Sequence, residues 1–363
     1  MLYLDFVQDV TDHFLEQIGD TNCAIAGNNG PYQEEDLPVR NTAHWLVTLS
    51  ILYKITKKEQ YLSKAKQFAE YLCHENAYGK HGIIKIRNTK ISDYTDGIIG
   101  IAWIIEALME AAKVLHKDEY YYRAVELFKA EFFDENMGLW KIVDIDDNII
   151  SIDYVYNHQL WFAASGAMIL DYKFDSDIDR QITLFLNSWR KQLIIQPSGL
   201  LYHQVNYQYS LKSILKKKLK AIMCDFGIGK TLKKQKVLER GYQMFDLYGF
   251  ALLYKRYSDC DIYNSSQFNR AMKFCLNKNN LKQLFISEKK YNKYAFPYNS
   301  PAFEYPYLAK TILGKVDERL LKKLMEIQIN LCYSSEEKDF SRNNDDPFTL
   351  TARIYELVRY YDI

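Results

Sequence analysis

Six times along this chain a short polar or aromatic cluster runs straight into a helix that is apolar on almost every face. The segments are "VRNTAHWLVTLSILYKI" from Val39, "YTDGIIGIAWIIEALMEA" from Tyr94 and "VYNHQLWFAASGAMIL" from Val155. They continue with "RGYQMFDLYGFALLYKRY" from Arg240, "YNSPAFEYPYLAKTIL" from Tyr298 and "NDDPFTLTARIYELVRYY" from Asn344. With His44, Asp96, His158, Gln243, Ser300 and Asp346 as markers, the spacings are 52, 62, 85, 57 and 46 residues. A helix with one apolar stripe covers a surface, whereas one apolar all round must itself be covered on both sides. Repeats of this kind cannot bury themselves alone and have to stack.

The covering elements fall between them, near residues 5–19, 59–76, 119–133, 178–193, 266–280 and 316–332. Stretches such as "KAKQFAEYLC" and "LKKLMEIQINLC" place apolar residues at i, i+3, i+4 and i+7, leaving a polar outer face. Strict alternation of polar and apolar helices predicts an all-α fold, an (α/α)6 toroid of six helical hairpins in one domain over 1–363. In such a ring the first turns of the inner helices face a central funnel. Capping explains one Asn, Asp or Ser at a helix start. It explains less well a set holding His44, Trp45, Asp96, Tyr156, His158, Tyr242, Tyr298 and Glu304, which predicts a shared site.

The long 85-residue spacing marks an insertion over 197–236. It contains the one strand-like stretch, "GLLYHQVNYQYSL", and then "LKSILKKKLKAIMCDFGIGKTLKKQK", with nine lysines and one aspartate. Insertions of this kind cap a rim. The expectation is a flap over the funnel that brings Tyr202 or His203 to the site and leaves Lys216, Lys217 and Lys218 exposed. Those lysines suit an anionic membrane surface or an acidic glycan. "GIGKT" lacks the first glycine of a phosphate loop and carries no weight.

A net charge of +1 offers no field for nucleic acid. The aromatic share of 15%, with 30 tyrosines, fits a sugar-lining groove or a compositional habit of the source. The six cysteines form no CxxC and no Cys/His pairing, so no metal and no cofactor is expected. "MLYLDFVQDVTDHFLEQ" has acids where a signal peptide needs a basic start, and no apolar run reaches the length of a membrane span. A cytoplasmic setting is expected.

"YNHQLWFAA" resembles the Asn-Asn-His-x-x-Trp-Ala stretch of the alginate-lyase family, and shares its Asn-His pair with heparinase-type lyases. The architecture also resembles unsaturated-uronyl hydrolases and N-acylglucosamine epimerases. The lyase resemblance implies that Asn157 neutralises a substrate carboxylate and His158 accepts a proton. Tyr156 stands where that family has its first Asn. Arg240 and Tyr242 are the nearest counterparts of its later Arg and Tyr, at a shorter spacing. Elimination from a uronide needs such a kit: a charge-offsetting group for the enolate, a base near neutrality and a phenol for the leaving oxygen.

The candidate catalytic residues are therefore His158, Asn157, Arg240, Tyr242 and Asp96. Candidate sugar-binding residues are His44, Trp45, Tyr156, Trp161, Tyr202, His203, Tyr298, Glu304 and Asp346. A hydrolase would instead use carboxylates among Asp96, Asp153, Asp246, Glu304, Asp345 and Asp346. The epimerase resemblance implies two histidines, which His44 and His158 could supply. No GxSxG supports a serine triad. A glycan-binding protein without catalysis is the remaining alternative.

Overall fold

All six polar-headed segments form helices: Val39–Thr56, Gly97–Leu115, Tyr156–Tyr172, Lys230–Tyr257, Pro301–Leu313, and the pair Pro347–Ala352 and Tyr355–Arg359. The computed structural model describes residues 3–74, 77–88, 94–206, 211–281, 285–287 and 290–363. Each inner helix packs on the next, and the sixth packs on the first, which closes a ring. Around it stand the outer helices Leu4–Ile18, Glu59–His74, Asp118–Ala130, Ser176–Asn187, Ser266–Leu276 and Glu318–Cys332. The outer helices bury one stripe, as in Leu4, Val7, Val10, Phe14 and Ile18 of the first. The second inner helix is buried from Gly97 through Ala112 on every face. That difference follows from one-sided against two-sided cover.

Links from an inner helix to the next outer helix are short, whereas the return links are long and carry the β-structure. A hairpin at Ala77–Tyr78 and Ile83–Ile84, a three-stranded antiparallel sheet at Phe132–Asp134, Leu139–Val143 and Ile149–Ile152, and a hairpin at Phe285–Ser287 and Lys290–Tyr291 all lie in these return links. All therefore gather at the N-terminal ends of the inner helices. The strand expected in the insertion does not form: Leu201 and Gln204 make isolated bridges to Ile195 and Val155. The inner helix supplies the partner instead, because Leu201 N donates to Gln243 Oε1 at 2.8 Å. Residues 207–210 of that stretch lie outside the described residues. The insertion continues as a helix, Leu211–Asp225. The fourth inner helix then starts at Lys230, about ten residues before its polar cluster, and projects past the ring.

Buried ion pairs bind the ring where the second, fifth and sixth inner helices meet. Arg359 donates to Glu106 at 2.7 Å and to Glu110 at 3.4 Å. Arg353 donates to Glu304 at 2.9 Å, to Glu356 at 2.6 Å and to Asn299 at 2.8 Å. Breaking such a buried network on one side costs more than forming it gains.

Candidate active site

In five inner helices the residue at the N-cap makes no side-chain cap bond. Asp346 does cap its own helix, accepting from Thr349 N at 3.1 Å. The polar clusters thus have other work, and the third repeat shows how it divides. Gln159 braces the three-stranded sheet: Trp140 N donates to its Oε1, and its Nε2 donates to the carbonyls of Trp140 and Asp153, with N···O distances of 2.8–2.9 Å. The sheet thereby delivers Asp153 beside His158, whose Nδ1 lies 2.8 Å from Asp153 Oδ2. Asp153 also accepts from Ile98 N at 3.2 Å and Val155 N at 3.0 Å, so its carboxylate is fixed by two backbone amides. A carboxylate accepts only, which assigns the hydrogen to Nδ1 and makes Nε2 the basic nitrogen.

The approach depends on Gly97. Its φ is +61°, and a Cβ there would collide with the Asp153 carboxylate and stand 2.9 Å from His158 Nδ1. Asp96, just before it, is also left-handed at φ 59°. Asp tolerates that region better than most residues.

His158 and Asp96 line a cavity of about 200 Å³ at the N-terminal ends of the inner helices, with Asp153 behind His158. Every repeat contributes: Arg40, then Asp96 and Trp103, then Asn157 and His158, then Tyr242 and Phe245, then Tyr298 and Asn299, and finally Arg353. Asn29, Tyr32, Glu34, Arg87 and His203 enter from the connections. The segment holding His203 is pinned to the third repeat, since Tyr156 N donates to His203 O and Val205 N donates to Tyr154 O, both at 2.9 Å.

The cavity wall is rich in guanidinium groups. Arg40 donates to Asn29 Oδ1 at 2.9 Å and lies over the Trp103 ring at 4.4 Å. Arg87 pairs with Glu34 and Asp96. Burial would raise the Asp96 carboxyl, but Arg87, His158 and Arg40 outweigh it and hold the group below the usual range. His203 is pushed down to about 3, first by burial and then by His158. It is neutral near neutrality, and among the described residues its Nδ1 has no hydrogen-bond partner. Burial pushes Asp246, beneath Asn157, up to about 8. Tyr242 is held well above the usual phenol range, by burial first, and its hydroxyl is 2.9 Å from that of Tyr32. Among the described residues no group of three His, Cys, Asp or Glu is placed to hold a metal ion.

Of the residues nominated from sequence, His158, Asn157, Asp96, Tyr242, His203 and Tyr298 line this cavity. The others do not. His44 lies one turn, about 6 Å, below Arg40, and stacks on Tyr355 with ring centres 4.5 Å apart. Trp45 is the next residue on the helix and so points elsewhere, stacking on Phe14 of the outer layer at 3.8 Å. Arg240 sits two positions from Tyr242, and Tyr156 two positions from His158, roughly 200° around the helix in each case. Tyr156 accordingly packs on Phe185 and Phe250, and Arg240 is half-buried on the insertion side. Trp161 is a turn deeper, against Phe245 and Tyr248. Tyr202 is buried with, among the described residues, no partner for its hydroxyl. Glu304 is part of the ion-paired floor, and Asp346 anchors a loop by accepting from Asn28 N and Gly30 N as well. Of the expected exposed lysines, Lys216 and Lys218 are exposed, while Lys217 turns in to donate to Val205 O.

Arg40, Arg87 and Arg353 were not anticipated. Arg40 had a signal, four residues before His44 on the same helix face. Arg87 comes from a connection with no periodicity to read.

No family model matches the chain. Over 353 residues it is 28% identical to archaeal glycosylation protein Q of Haloferax volcanii, covering 93% of this chain and 91% of that protein. Among solved structures it is similar to a cellobiose 2-epimerase from Bacillus thermoamylovorans, with TM-score 0.65 at 11% identity over 99% of this chain and 100% of the other. It is likewise similar to a sugar epimerase from a ruminal bacterium, at TM-score 0.66 and 14% identity over 99% of both chains. An unsaturated glucuronyl hydrolase specific for heparin gives TM-score 0.62 at 12% identity, over 98% of this chain and 97% of the other. At such identities the likeness is one of fold, and the fold that this chain shares with them is the six-hairpin α/α toroid.

Proposed function

We propose that this chain is a sugar-converting enzyme of the epimerase or isomerase kind, working by moving a proton on carbon. The observation that carries the reading is two imidazoles on one cavity, one oriented by a carboxylate and the other buried and neutral, within a guanidinium-rich wall. His158 Nε2 would take a proton from the carbon next to a sugar carbonyl, and Asp153 would stabilise the imidazolium that forms. The electron pair would move onto the carbonyl oxygen, where Arg40 or Arg87 offsets the developing charge. The His158 imidazolium would then give the proton to the neighbouring carbon, with the hydroxyl proton passing from one sugar oxygen to the other, and neutral His203, against Tyr242 with ring centres 4.9 Å apart, would hydrogen-bond those oxygens. The likeness to a protein named for glycosylation supports a sugar as substrate.

β-Elimination is the second reading, because Asn157, His158 and Tyr242 share the cavity. Arg240 has no place in it, and about 200 Å³ suits one ring better than a polymer. Hydrolysis is less favoured: Asp96 is paired and held ionised, and Asp153 is committed to His158, so neither is set up as a proton donor. Incubation in D2O with a panel of hexoses, hexuronic acids and their disaccharides separates these. Deuterium at a sugar carbon with a new epimer or ketose supports the proposal. A conjugated double bond absorbing in the near ultraviolet favours the lyase, and new reducing ends the hydrolase. Sugar binding with none of these signals would leave a binding protein.

A further inference from the structure

The insertion helix Leu211–Asp225 is held to the body along one side and apolar along the other. Its inner side buries Ala221 and Cys224 completely, with Cys224 Sγ 3.4 Å from Glu239 and Lys217 bonded to Val205 O. Its outer side shows Leu215 at 67% exposure, Leu219 at 58%, Ile222 at 40% and Phe226 at 71%. Phe226 N donates to Ile222 O, so the helical turn continues through it. The spacing i, i+4, i+7 and i+11 puts all four on a stripe about 60° wide, at about 100° per residue. Exposed lysines flank it, Lys212, Lys216 and Lys220 on one side and Lys218 on the other.

Ordinary surface helices put polar residues on the solvent side; this one puts its largest apolar side chains there. From this we propose that the helix is a membrane-docking element that seats the stripe in an anionic lipid bilayer while the lysines contact the headgroups. Charge chooses this occupant. A second copy would set one lysine row against another, which repels, whereas an anionic surface complements the rows and accepts the stripe. The apolar area continues into an adjoining groove of about 620 Å³, where Ile222 and Lys218 meet Trp189, Leu193 and Pro197. Docking would also orient the molecule. The helix start at Lys230 projects about 18 Å beyond the level of Tyr242, and the insertion helix leans on that projection, so the bilayer would lie on the mouth side of the ring.

The test is sedimentation of the full chain with vesicles of phosphatidylcholine alone or with added phosphatidylglycerol, independent of any catalytic assay. Binding should appear with phosphatidylglycerol and fall as salt rises. The triple variant Leu215→Ser/Leu219→Ser/Phe226→Ser should lose at least about tenfold in partitioning, since each buried apolar side chain contributes. Replacing Lys212, Lys216, Lys218 and Lys220 by Gln should cost up to about fivefold per lysine. Both variants should melt where the parent does. Binding no better with phosphatidylglycerol than without it would overturn the proposal, as would undiminished binding by the folded triple variant. A parent dimer that the triple variant dissolves, with no vesicle binding, would assign the stripe to a second copy instead.

Discussion

Asp153→Asn tests the pairing on which the proposed chemistry rests. Asp153 Oδ2 accepts from both His158 Nδ1 and Ile98 N, and Oδ1 accepts from Val155 N. An amide has one oxygen for these three donors. If that oxygen faces Val155, the amide nitrogen faces His158, Nδ1 must accept, and the hydrogen moves to Nε2. The base is then lost, and a wrong tautomer in a comparable dyad costs about 10⁴-fold. If the oxygen faces His158, the tautomer survives and only the charge is lost. A hydrogen bond to a charged group contributes about 1.5–3 kcal/mol, or roughly 10- to 150-fold in rate. The expected fall in kcat therefore lies between about 10-fold and 10⁴-fold, with KM little changed. Either orientation leaves a backbone amide without its acceptor, so stability should fall by about 1–3 kcal/mol. The rate assay is deuterium exchange into the sugar, and ¹⁵N spectra of His158 report the tautomer without substrate. A kcat within threefold of the parent would refute the dyad.

Gly97→Ala should mimic that loss from the other side, because a Cβ would collide with the Asp153 carboxylate, and a left-handed non-glycine costs about 1–2 kcal/mol more; unchanged melting and activity would count against the close approach. Arg353→Met leaves Glu304 and Glu356 sharing a buried site without their cation, and should destabilise by about 3–5 kcal/mol by denaturant titration. That penalty should shrink as pH falls and the carboxylates take up protons; a pH-independent loss would argue for packing alone. His203 titrates near 6.5 when unfolded but is held at about 3 when folded, so the unfolded state binds the extra proton between those values. Its contribution is a loss of stability as pH falls from about 6.5 towards 3, with a slope of up to about 1.4 kcal/mol per pH unit. Thermal melts of His203→Gln should be flatter than the parent over that window, and parallel curves would show that His203 is not held neutral.

The ring was legible because two-sided burial leaves a compositional mark. A helix such as Gly97–Leu115, buried on all faces, cannot be mistaken for the one-striped Leu4–Ile18. The β-structure was not legible for the opposite reason. The strands of the return links are two to five residues long and serve as braces, with Gln159 tying Trp140 to the helix. Strands this short, paired as two hairpins and one three-stranded sheet, leave no run of alternation long enough to read. The same holds for Leu201, whose backbone amide is satisfied by Gln243.

Finding the cavity required depth along each helix as well as membership of a repeat. His44 and Arg40 share a face, and the ring's mouth passes one turn above His44, at Arg40. The signal that separates them is the partner each would need. A buried guanidinium demands acceptors, and Asn29 and Asp36 in the preceding connection supply them to Arg40. His44 needs no counter-ion, because burial, with Arg40 and Arg353 nearby, pushes it well below the usual histidine range and leaves it neutral. The same test sorts the carboxylates. Asp153 is bound by two backbone amides and an imidazole at the wall, whereas Glu304 shares Arg353 with Glu356 in the floor. Position in a repeat nominates a residue, but what surrounds its polar atoms decides whether those atoms are used up by the fold or remain for a ligand.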